Sequence, residues 1–341
     1  MTNAGDAILL VSFGGPDRAD EVMPFLETVL RGRPVPRARM LEVAEHYYHF
    51  GGKSPINDQN RALLAALRKI LTDEGPHLPV YWGNRNWHPL LAGTMRAMAA
   101  DGVRRAFAFV TSAYSSYSGC RQYLEDLARA REAAGPAAPE VLKLRVFYNH
   151  PGFIEPMAER VRAALDRIPA ERRDAAALVF TAHSIPISMA ETSRYVPQVE
   201  EACRLVAARV VRSPYRLVYQ SRSGAPGQPW LEPDILSYLR ELAATGSARD
   251  VVIAPIGFVS DHMEVVYDLD TEAHHLCAEL GLNMVRAETV GAHPCFAAMI
   301  RELVLERMGA LAGRRVLGEC GPSQDVCPED CCPGPRGAAR P

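Results

Sequence analysis

Short apolar segments alternate along this chain with amphipathic ones. The segment 7–13, AILLVSF, is apolar at almost every position, which is typical of a strand buried on both faces of a parallel sheet. In the segment 19–31, apolar residues recur at spacings of three and four, which predicts an amphipathic helix. The same patterns predict further strands at residues 79–83, 141–151, 176–182, 215–220, 250–256 and 283–287 and at the start of 106–120. They predict further helices at residues 57–72, 89–101, 121–134, 153–167, 196–211, 232–244, 263–280 and 294–310.

This alternation of strands and helices predicts an α/β protein. We expect two doubly wound, parallel-sheet lobes of Rossmann-like type, with the active-site cleft between them. The first lobe is placed at residues 1–150 and the second at residues 151–310. Residues 311–341 form a tail that is too rich in proline and glycine to build a core of its own.

The composition excludes several classes of function. The 341-residue chain is 48% hydrophobic and 23% charged, as in an ordinary globular protein, and its net charge of −2 gives no reason to expect a nucleic-acid partner. No apolar segment reaches the length of a transmembrane helix, and the N-terminus, MTNAGDAILL, lacks the basic region and cleavage site of a signal peptide. We therefore expect a soluble, cytoplasmic protein.

A row of acidic residues follows one of the predicted strands. In the segment 251–272, VVIAPIGFVSDHMEVVYDLDTE, a buried strand leads into polar residues and then into Glu264, Asp268 and Glu272, which are four residues apart. If residues 263–280 are helical, these three carboxylates lie on one face, where like charges repel one another. The row therefore predicts a site for a cation, although an acidic first turn could also simply complement the helix dipole.

A histidine occupies the equivalent place after another predicted strand. In the segment 177–189, ALVFTAHSIPISM, His183 stands where open α/β sheets place their ligands, at the carboxyl end of a strand. An imidazole together with the carboxylates of the acidic row would suit a divalent first-row metal and would also form an acid–base pair. The alternative is a loop histidine whose hydrogen bonds are satisfied within the protein.

Six motifs together resemble the ferrochelatase family over about residues 7–310. They are LLVSFGGP (9–16), HFGGKSPIN (49–57), YWGNRNWHPL (81–90), AHSIP (182–186), YQSRSGAPGQPWLEPD (219–234) and GFVSDHMEVVYDLD (257–270). The resemblance implies a lyase of haem biosynthesis that inserts Fe²⁺ into a porphyrin. His183 would act as base or first iron ligand, and Glu264 would hold the incoming Fe²⁺ with it. Asp268 and Glu272 would form a path for iron or for protons.

A basic segment distinguishes this chain from animal ferrochelatases, in which the corresponding region is a longer apolar lip that docks on the membrane. The segment 31–40, RGRPVPRARM, carries Arg31, Arg33, Arg37 and Arg39. Guanidinium groups recognise carboxylates, so arginines here suit coproporphyrin III, with four propionates, better than protoporphyrin IX, with two. We therefore expect the product to be coprohaem and Arg31 to bind the substrate. The alternative is a solvated basic loop.

The resemblance implies two further substrate contacts. Ser54 and Tyr123 align with residues that touch the macrocycle, although Ser54 could instead cap the helix at 57–72 and Tyr123 could be a half-buried helix tyrosine. Phe13 stands where some relatives carry a tyrosine that ligates iron, and phenylalanine cannot do so. Bacterial relatives are often monomers, and we expect a monomer here.

Cysteines are concentrated in the tail, with the spacing Cys320-x6-Cys327-x3-Cys331-Cys332. Four thiolates would suit zinc or an iron–sulfur cluster. The resemblance, here to actinobacterial ferrochelatases that carry a C-terminal cysteine motif, implies a [2Fe–2S] cluster on Cys120, Cys320, Cys327 and Cys332. Cys331 could replace Cys332, and the alternative is a tail of free thiols.

Three other functions compete with a coproporphyrin ferrochelatase. A protoporphyrin IX ferrochelatase would make protohaem directly, a cobalt or nickel chelatase would use another tetrapyrrole, and a non-catalytic carrier would bind a tetrapyrrole or metal without inserting it. The presence of both His183 and Glu264 argues against the carrier.

Overall fold

The computed structural model describes residues 5–32, 35–210, 214–224 and 227–334. The strands within these residues are β1 (Asp6–Ser12), β2 (Val80–Asn84), β3 (Arg105–Val110), β4 (Glu140–Lys143), β5 (Ala177–His183), β6 (Tyr215–Gln220), β7 (Asp250–Ala254) and β8 (Asn283–Arg286). The α-helices are α1 (Val22–Val29), α2 (Arg37–His49), α3 (Ile56–Glu74), α4 (Leu91–Ala100), α5 (Gln122–Ala134), α6 (Pro151–Asp166), α7 (Ala170–Arg173), α8 (Ile187–Glu191), α9 (Tyr195–Val210), α10 (Ile235–Thr245), α11 (Met263–Val266), α12 (His274–Leu280) and α13 (Pro294–Arg307). Short π-helical turns cover Tyr117–Arg121 and Asp268–Ala273.

The eight strands form two four-stranded sheets, and every neighbouring pair of strands is parallel. The strand orders are β2-β1-β3-β4 and β6-β5-β7-β8, so in each sheet the first strand along the chain lies between the second and the third. This arrangement confirms the predicted α/β fold with two parallel sheets. Because helices separate the strands in sequence, the crossovers between parallel neighbours are helical, as parallel pairing requires.

The described residues divide into two compact units that are discontinuous in sequence, with one sheet in each. The first unit contains the β1–β4 sheet and the second contains the β5–β8 sheet. The first unit consists of the described parts of Met1–Thr111, Tyr123–Leu144 and Ile300–Ala312. The second consists of the described parts of Ser112–Gln122, Arg145–Met299 and Gly313–Pro341.

Burial explains why the apolar segments form strands. All seven residues of β1 are buried, and alternate residues Ala7, Leu9 and Val11 share one core with α4 and α5. In the second unit, β5 and β7 contribute to a core with α10, α12 and the π-helical turn that precedes α12. None of the helices in the described part of the chain combines the length and apolar composition that a membrane-spanning helix needs.

The predicted strand at 141–151 is wrong over most of its length. β4 ends at Lys143, and the buried residues that follow form an irregular connection into α6. His150 ends this connection by accepting a hydrogen bond from the backbone N–H of Gly152 through Nδ1, at 3.0 Å, and so caps α6. The apolar pattern predicted burial correctly, but burial alone does not distinguish a strand from a packed loop.

The described part of the tail packs against the second unit, although it contains no helix or strand there. The buried guanidinium of Arg145 donates to the carbonyl of Arg315 at 3.1 Å, and Asn149 Nδ2 donates to the carbonyl of Gly321 at 2.9 Å. Leu317 N–H donates in return to the carbonyl of Asn149 at 2.8 Å. The tail therefore satisfies buried polar groups of its unit.

Candidate active site

His183 is the last residue of β5, where it pairs in register with Gln220 of β6. Its Nδ1 donates a hydrogen bond to the carbonyl of Ser184, and its own backbone carbonyl accepts one from the Tyr195 hydroxyl at 2.9 Å. These contacts orient the ring, so that Nε2 faces the segment carrying the acidic row.

Glu264 lies opposite this ring. His183 Nε2 and Glu264 Oε1 are 3.3 Å apart, and the two side chains are 29% and 46% exposed. Glu264 is held at the start of α11, where its backbone N–H donates to Nδ1 of His262 at 3.2 Å. The two catalytic residues predicted from sequence are therefore brought together, and the pair remains open to solvent.

The His183–Glu264 contact is an ion pair. Burial disfavours the charged imidazole, but the Glu264 carboxylate, its hydrogen bond and the Ser184 carbonyl outweigh burial and raise the pKa of His183 to about 9. Burial likewise disfavours the charged carboxylate, but His183 and His262 lower the pKa of Glu264 to about 2. At neutral pH the imidazole is therefore protonated and the carboxylate ionised.

The acidic row does not lie on one regular α-helix as predicted. Residues 263–280 are helical, but the turn Asp268–Ala273 is π-helical, and Glu272 N–H donates to the carbonyl of Tyr267, five residues earlier, at 3.0 Å. Asp268 is nevertheless affected by the other two carboxylates. Burial, Glu264 and Glu272 raise the pKa of Asp268 to about 7, so like charges act on it as the four-residue spacing indicated.

Two residues of the β6 end, which sequence reasoning did not assign to the site, hold the row in place. Gln220 Nε2 donates to the backbone carbonyl of Glu264 at 2.5 Å, and the Ser221 hydroxyl donates to Oδ2 of Asp268. Ser221 adopts a φ of +61°, a left-handed conformation that is unusual for a residue with a side chain. Their signal in the sequence was the polar run QSRSG directly after an apolar strand, the same pattern that identified His183.

The predicted substrate contacts all belong to the first unit. Ser54 is buried beside Gly15, which follows β1. A Cβ added to Gly15 would lie 2.7 Å from the Cβ of Ser54. Ser54 does not cap a helix, because α3 begins at Ile56 and its N-cap is Pro55. Arg31 is exposed, and Arg33 lies outside the described residues.

Tyr123 packs in the core of the first unit. Its ring lies 4.9 Å from the guanidinium carbon of Arg85, which also forms an ion pair with Asp126 at 3.0 Å. Arg85 stands 5.8 Å from the ring of Phe13 as well, so one cation lies against two aromatic rings. Sequence reasoning did not connect Arg85 to these residues, because contacts between the ends of separate strands and helices leave no local signal.

The cysteines predicted to bind a cluster all lie in the second unit. Cys120 and Cys332 are buried, Cys327 and Cys331 are partly exposed, and Cys320 is exposed. Within the described residues, no three cysteine sulfurs lie within 4.8 Å of one another, so the single-ion geometry of a zinc site is not formed.

Part of the cysteine set is nevertheless close together. The sulfurs of Cys331 and Cys332 are 3.7 Å apart. Burial, then Cys331 and Cys327, raise the pKa of Cys332 to about 12. Arg121, the neighbour of Cys120, donates to the carbonyls of Pro328 and Cys331 at 2.7 and 3.0 Å, which fastens the turn carrying Cys120 to the tail.

Comparisons with known proteins identify the family. A family model described as Ferrochelatase matches residues 5–308. The chain is 57% identical to a protein named Ferrochelatase from Rhodopirellula baltica, over 96% of this chain and 93% of that protein. It is 54% identical to a protein named Coproporphyrin III ferrochelatase from Streptomyces coelicolor, over 98% of this chain and 95% of that protein.

A solved structure supports the fold. The sirohydrochlorin chelatase SirB from Bacillus subtilis subspecies spizizenii, in complex with cobalt, superposes with a TM-score of 0.51. The match covers 90% of this chain and 98% of that one at 13% sequence identity. At that identity the likeness shows the chelatase-like fold alone.

Proposed function

Because the chain belongs to the ferrochelatase family, we propose that it is a coproporphyrin III ferrochelatase, which inserts Fe²⁺ into coproporphyrin III to form coprohaem. The reaction releases two protons from the pyrrole nitrogens of the porphyrin. The substrate follows from relatives that carry this name at 51–54% identity over nearly the whole chain. The observation that carries the chemistry is the His183–Glu264 pair, 3.3 Å apart at the carboxyl end of a parallel sheet.

The ion pair suggests how iron and protons exchange places. At rest, protonated His183 and ionised Glu264 neutralise one another. Fe²⁺ approaching Glu264 would compete with the imidazolium for the carboxylate and would lower the pKa of His183, so that the ring loses its proton. Neutral His183 could then accept a proton from a pyrrole N–H or bind the metal. Asp268, with a pKa of about 7, is placed to pass protons to solvent.

We propose that Arg31, Ser54 and Tyr123 contribute to substrate binding. The exposed Arg31 suits a propionate of coproporphyrin III. Ser54 and Tyr123 are 2% and 6% exposed, so contact with the macrocycle requires their surroundings to open. For Tyr123 the group that would have to move is Arg85, which lies against its ring.

We also propose a [2Fe–2S] cluster on Cys120, Cys320, Cys327 and Cys332. The support is chemical: Cys327 is near enough to Cys332 to raise the pKa of its thiol, and Arg121 ties the turn of Cys120 to the same segment. A two-iron cluster spreads its four thiolates more widely than one zinc ion does, so it demands less convergence than a zinc site. When bound, such a cluster can carry an electron. Cys331 remains the alternative to Cys332.

We further propose that the protein acts in the cytoplasm as a monomer, as bacterial relatives often do. Sedimentation of the purified protein would test the oligomeric state.

The first test of the function is anaerobic Fe²⁺ insertion by the purified protein, with coproporphyrin III and protoporphyrin IX compared. We expect preference for coproporphyrin III. Preference for protoporphyrin IX would keep the chelatase and discard the proposed substrate. Tight binding of porphyrin without insertion would instead indicate a carrier.

His183→Ala is the corresponding test of the site. Loss of the imidazole that lies 3.3 Å from Glu264 should reduce turnover at least about 100-fold, since general acid–base groups contribute about 10²- to 10⁴-fold. Porphyrin binding, followed by fluorescence quenching, should be retained. Near-normal turnover in this variant would remove His183 from the mechanism.

A further inference from the structure

The segment 261–272 carries more negative charge than the acidic row uses. It contains five carboxylates within twelve residues: Asp261, Glu264, Asp268, Asp270 and Glu272. Three of them form the row, and the other two, Asp261 and Asp270, have no part in the mechanism above. Five like charges this close together repel one another and oppose the folded arrangement of the segment.

One arginine pairs with both of the remaining carboxylates. Arg286 is the last residue of β8 and pairs in register with Ile253 of β7. Its Nε and Nη2 donate to the two oxygens of Asp270 at 2.5 and 2.9 Å, and its Nη1 donates to Asp261 at 3.1 Å. The Arg286 side chain is only 17% exposed, as is that of Asp261. The bidentate contact with Asp270, whose side chain is 36% exposed, is geometrically specific, and it is made from a largely buried guanidinium.

The two carboxylates bound by Arg286 stand at opposite ends of the functional segment. Asp261 precedes α11, and Asp270 lies in the π-helical turn. Glu264 and Asp268 lie between them in sequence and face His183 of β5 and the Gln220–Ser221 end of β6 instead. Arg286 therefore binds one carboxylate near each end of the segment. Among the described contacts, neither Glu264 nor Asp268 is paired with an arginine or a lysine.

We propose that Arg286 is a positioning residue for iron delivery: by clamping Asp261 and Asp270 to the end of β8, it fixes Glu264 and Asp268 at the place where Fe²⁺ arrives. The clamp rests on the proposed function for its kinetic consequences but not for its structural ones. It also divides the five carboxylates into two that share one arginine and a row whose charge is left for the cation.

A purely electrostatic role of Arg286 makes the opposite prediction for Arg286→Gln. If Arg286 acted only through its charge, Arg286→Gln would remove a cation near the row and strengthen Fe²⁺ binding, whereas Asp270→Asn would remove an anion and weaken it. If Arg286 acts as a clamp, both substitutions break the same bidentate contact and impair Fe²⁺ use in the same direction. The double variant should then be no worse than Arg286→Gln alone, because the two residues act as one unit.

The experiment compares Arg286→Gln, Arg286→Lys, Asp270→Asn and the double variant in anaerobic insertion assays. We expect kcat/KM for Fe²⁺ to fall about 10- to 100-fold in Arg286→Gln, in line with other residues that orient metal ligands, while KM for the porphyrin stays within about twofold. Arg286→Lys should recover only part of the loss, because an ammonium cannot make the bidentate contact.

Arg172→Gln is the matched control. Arg172 forms an ion pair with Asp250 at 2.9 Å at the other end of the same strands, where Asp250 also binds Asn283 of β8. This variant should lose stability while its kinetic constants are retained. If it loses as much kcat/KM for Fe²⁺ as Arg286→Gln, the Arg286 contact is merely structural.

Hydrogen exchange measured by mass spectrometry tests the clamp without an activity assay. Peptides covering 262–272 should exchange faster in Arg286→Gln and Asp270→Asn than in the wild type or in Arg172→Gln. Unchanged exchange there overturns the clamp, even if the wild type inserts iron normally. Faster exchange together with an inactive wild-type enzyme would retain the clamp and reject the proposed function.

Discussion

The two members of the His183–Glu264 pair stabilise the folded chain over different ranges of pH. The folded-state pKa of His183, about 9, exceeds its ordinary 6.5, so its contribution is complete below about pH 6.5 and is lost as the pH rises through 9. The folded-state pKa of Glu264, about 2, lies below its ordinary 4.5, so its contribution is complete above about pH 4.5 and is lost as the pH falls through 2. The pair is therefore most stabilising between about pH 4.5 and pH 6.5. At neutral pH, Fe²⁺ binding at Glu264 would have to displace the proton of His183.

Asp268 is expected to set the pH dependence of iron insertion near neutrality. Its pKa of about 7 makes it neutral below that pH and anionic above it, and only the anion attracts Fe²⁺. From pH 6 to pH 7 we expect kcat/KM for Fe²⁺ to rise about fivefold, the increase of the ionised fraction. Asp268→Asn should lack this rise. It should retain a second rise in kcat/KM toward pH 9, where His183 loses its proton. The exposed Glu279→Gln is the control.

The same residue links activity to stability. Because the folded-state pKa of Asp268 lies above its ordinary 3.8, its protonated form contributes stability that is complete below about pH 4 and is lost as the pH rises through 7. The thermal midpoint of Asp268→Asn, relative to the wild type, should therefore increase between pH 5 and pH 8. A rise in kcat/KM near pH 7 that persists in Asp268→Asn would assign that ionisation to another group.

At the scale of secondary-structure elements, several of the candidate site residues lie in irregular pieces of the chain. The acidic row passes through a π-helical turn rather than a continuous α-helix, and Cys120 lies in the other π-helical turn of the described chain. Such turns place one extra residue in the helix and frequently occur at functional sites. The tail is irregular too, yet contacts from Arg121, Arg145 and Asn149 fix its path along the second unit.

Cysteine substitutions in the tail test the proposed cluster. Cys332→Ser should abolish acid-labile sulfide and the visible absorption of protein purified anaerobically, because a buried ligand is lost. Cys331→Ser should retain both, and Cys277→Ser, at a buried cysteine of α12, serves as control. The reverse result would make Cys331 the ligand, and wild-type protein without iron or sulfide would leave free thiols in the tail.

At the scale of the whole molecule, the positive charge that binds a porphyrin has to come from individual side chains. The chain has a net charge of −2, so overall electrostatics do not attract a porphyrin with four carboxylates. The fold does not choose the substrate either, because SirB shares it at 13% identity. Recognition of coproporphyrin III must therefore come from particular basic side chains, of which the exposed Arg31 is the one we propose.

Arg31→Ala tests this recognition. An exposed guanidinium–carboxylate contact is worth up to about 1 kcal/mol, so KM for coproporphyrin III should rise about two- to fivefold while KM for protoporphyrin IX changes less. Arg39→Ala is the matched control, because Arg39 is already paired with Glu42 at 2.8 Å. Equal effects of the two substitutions on both porphyrins would remove the special role of Arg31.

Most of the fold could be predicted from the sequence because its determinants are local. Apolar runs and three- and four-residue spacings placed seven of the eight strands in the described residues and most of the helices there, and the polar residues after the strands indicated His183 and the acidic row. The prediction failed at 141–151, where buried apolar residues form a loop, because a local pattern reports burial but not hydrogen-bond partners.

What the sequence alone determined was therefore most of the elements and the family, and it indicated the candidate site residues at the strand ends. Only the tertiary structure decided which of the five carboxylates face His183 and which face Arg286. Ser221 and Asp268 are 47 residues apart, and Arg286 is 16 residues from Asp270. Such contacts depend on parallel strands bringing their carboxyl ends to one edge of a sheet. The sequence could not reveal these contacts because charge pairing and burial, which set each pKa, act through space, whereas a periodic pattern records only neighbours along the chain.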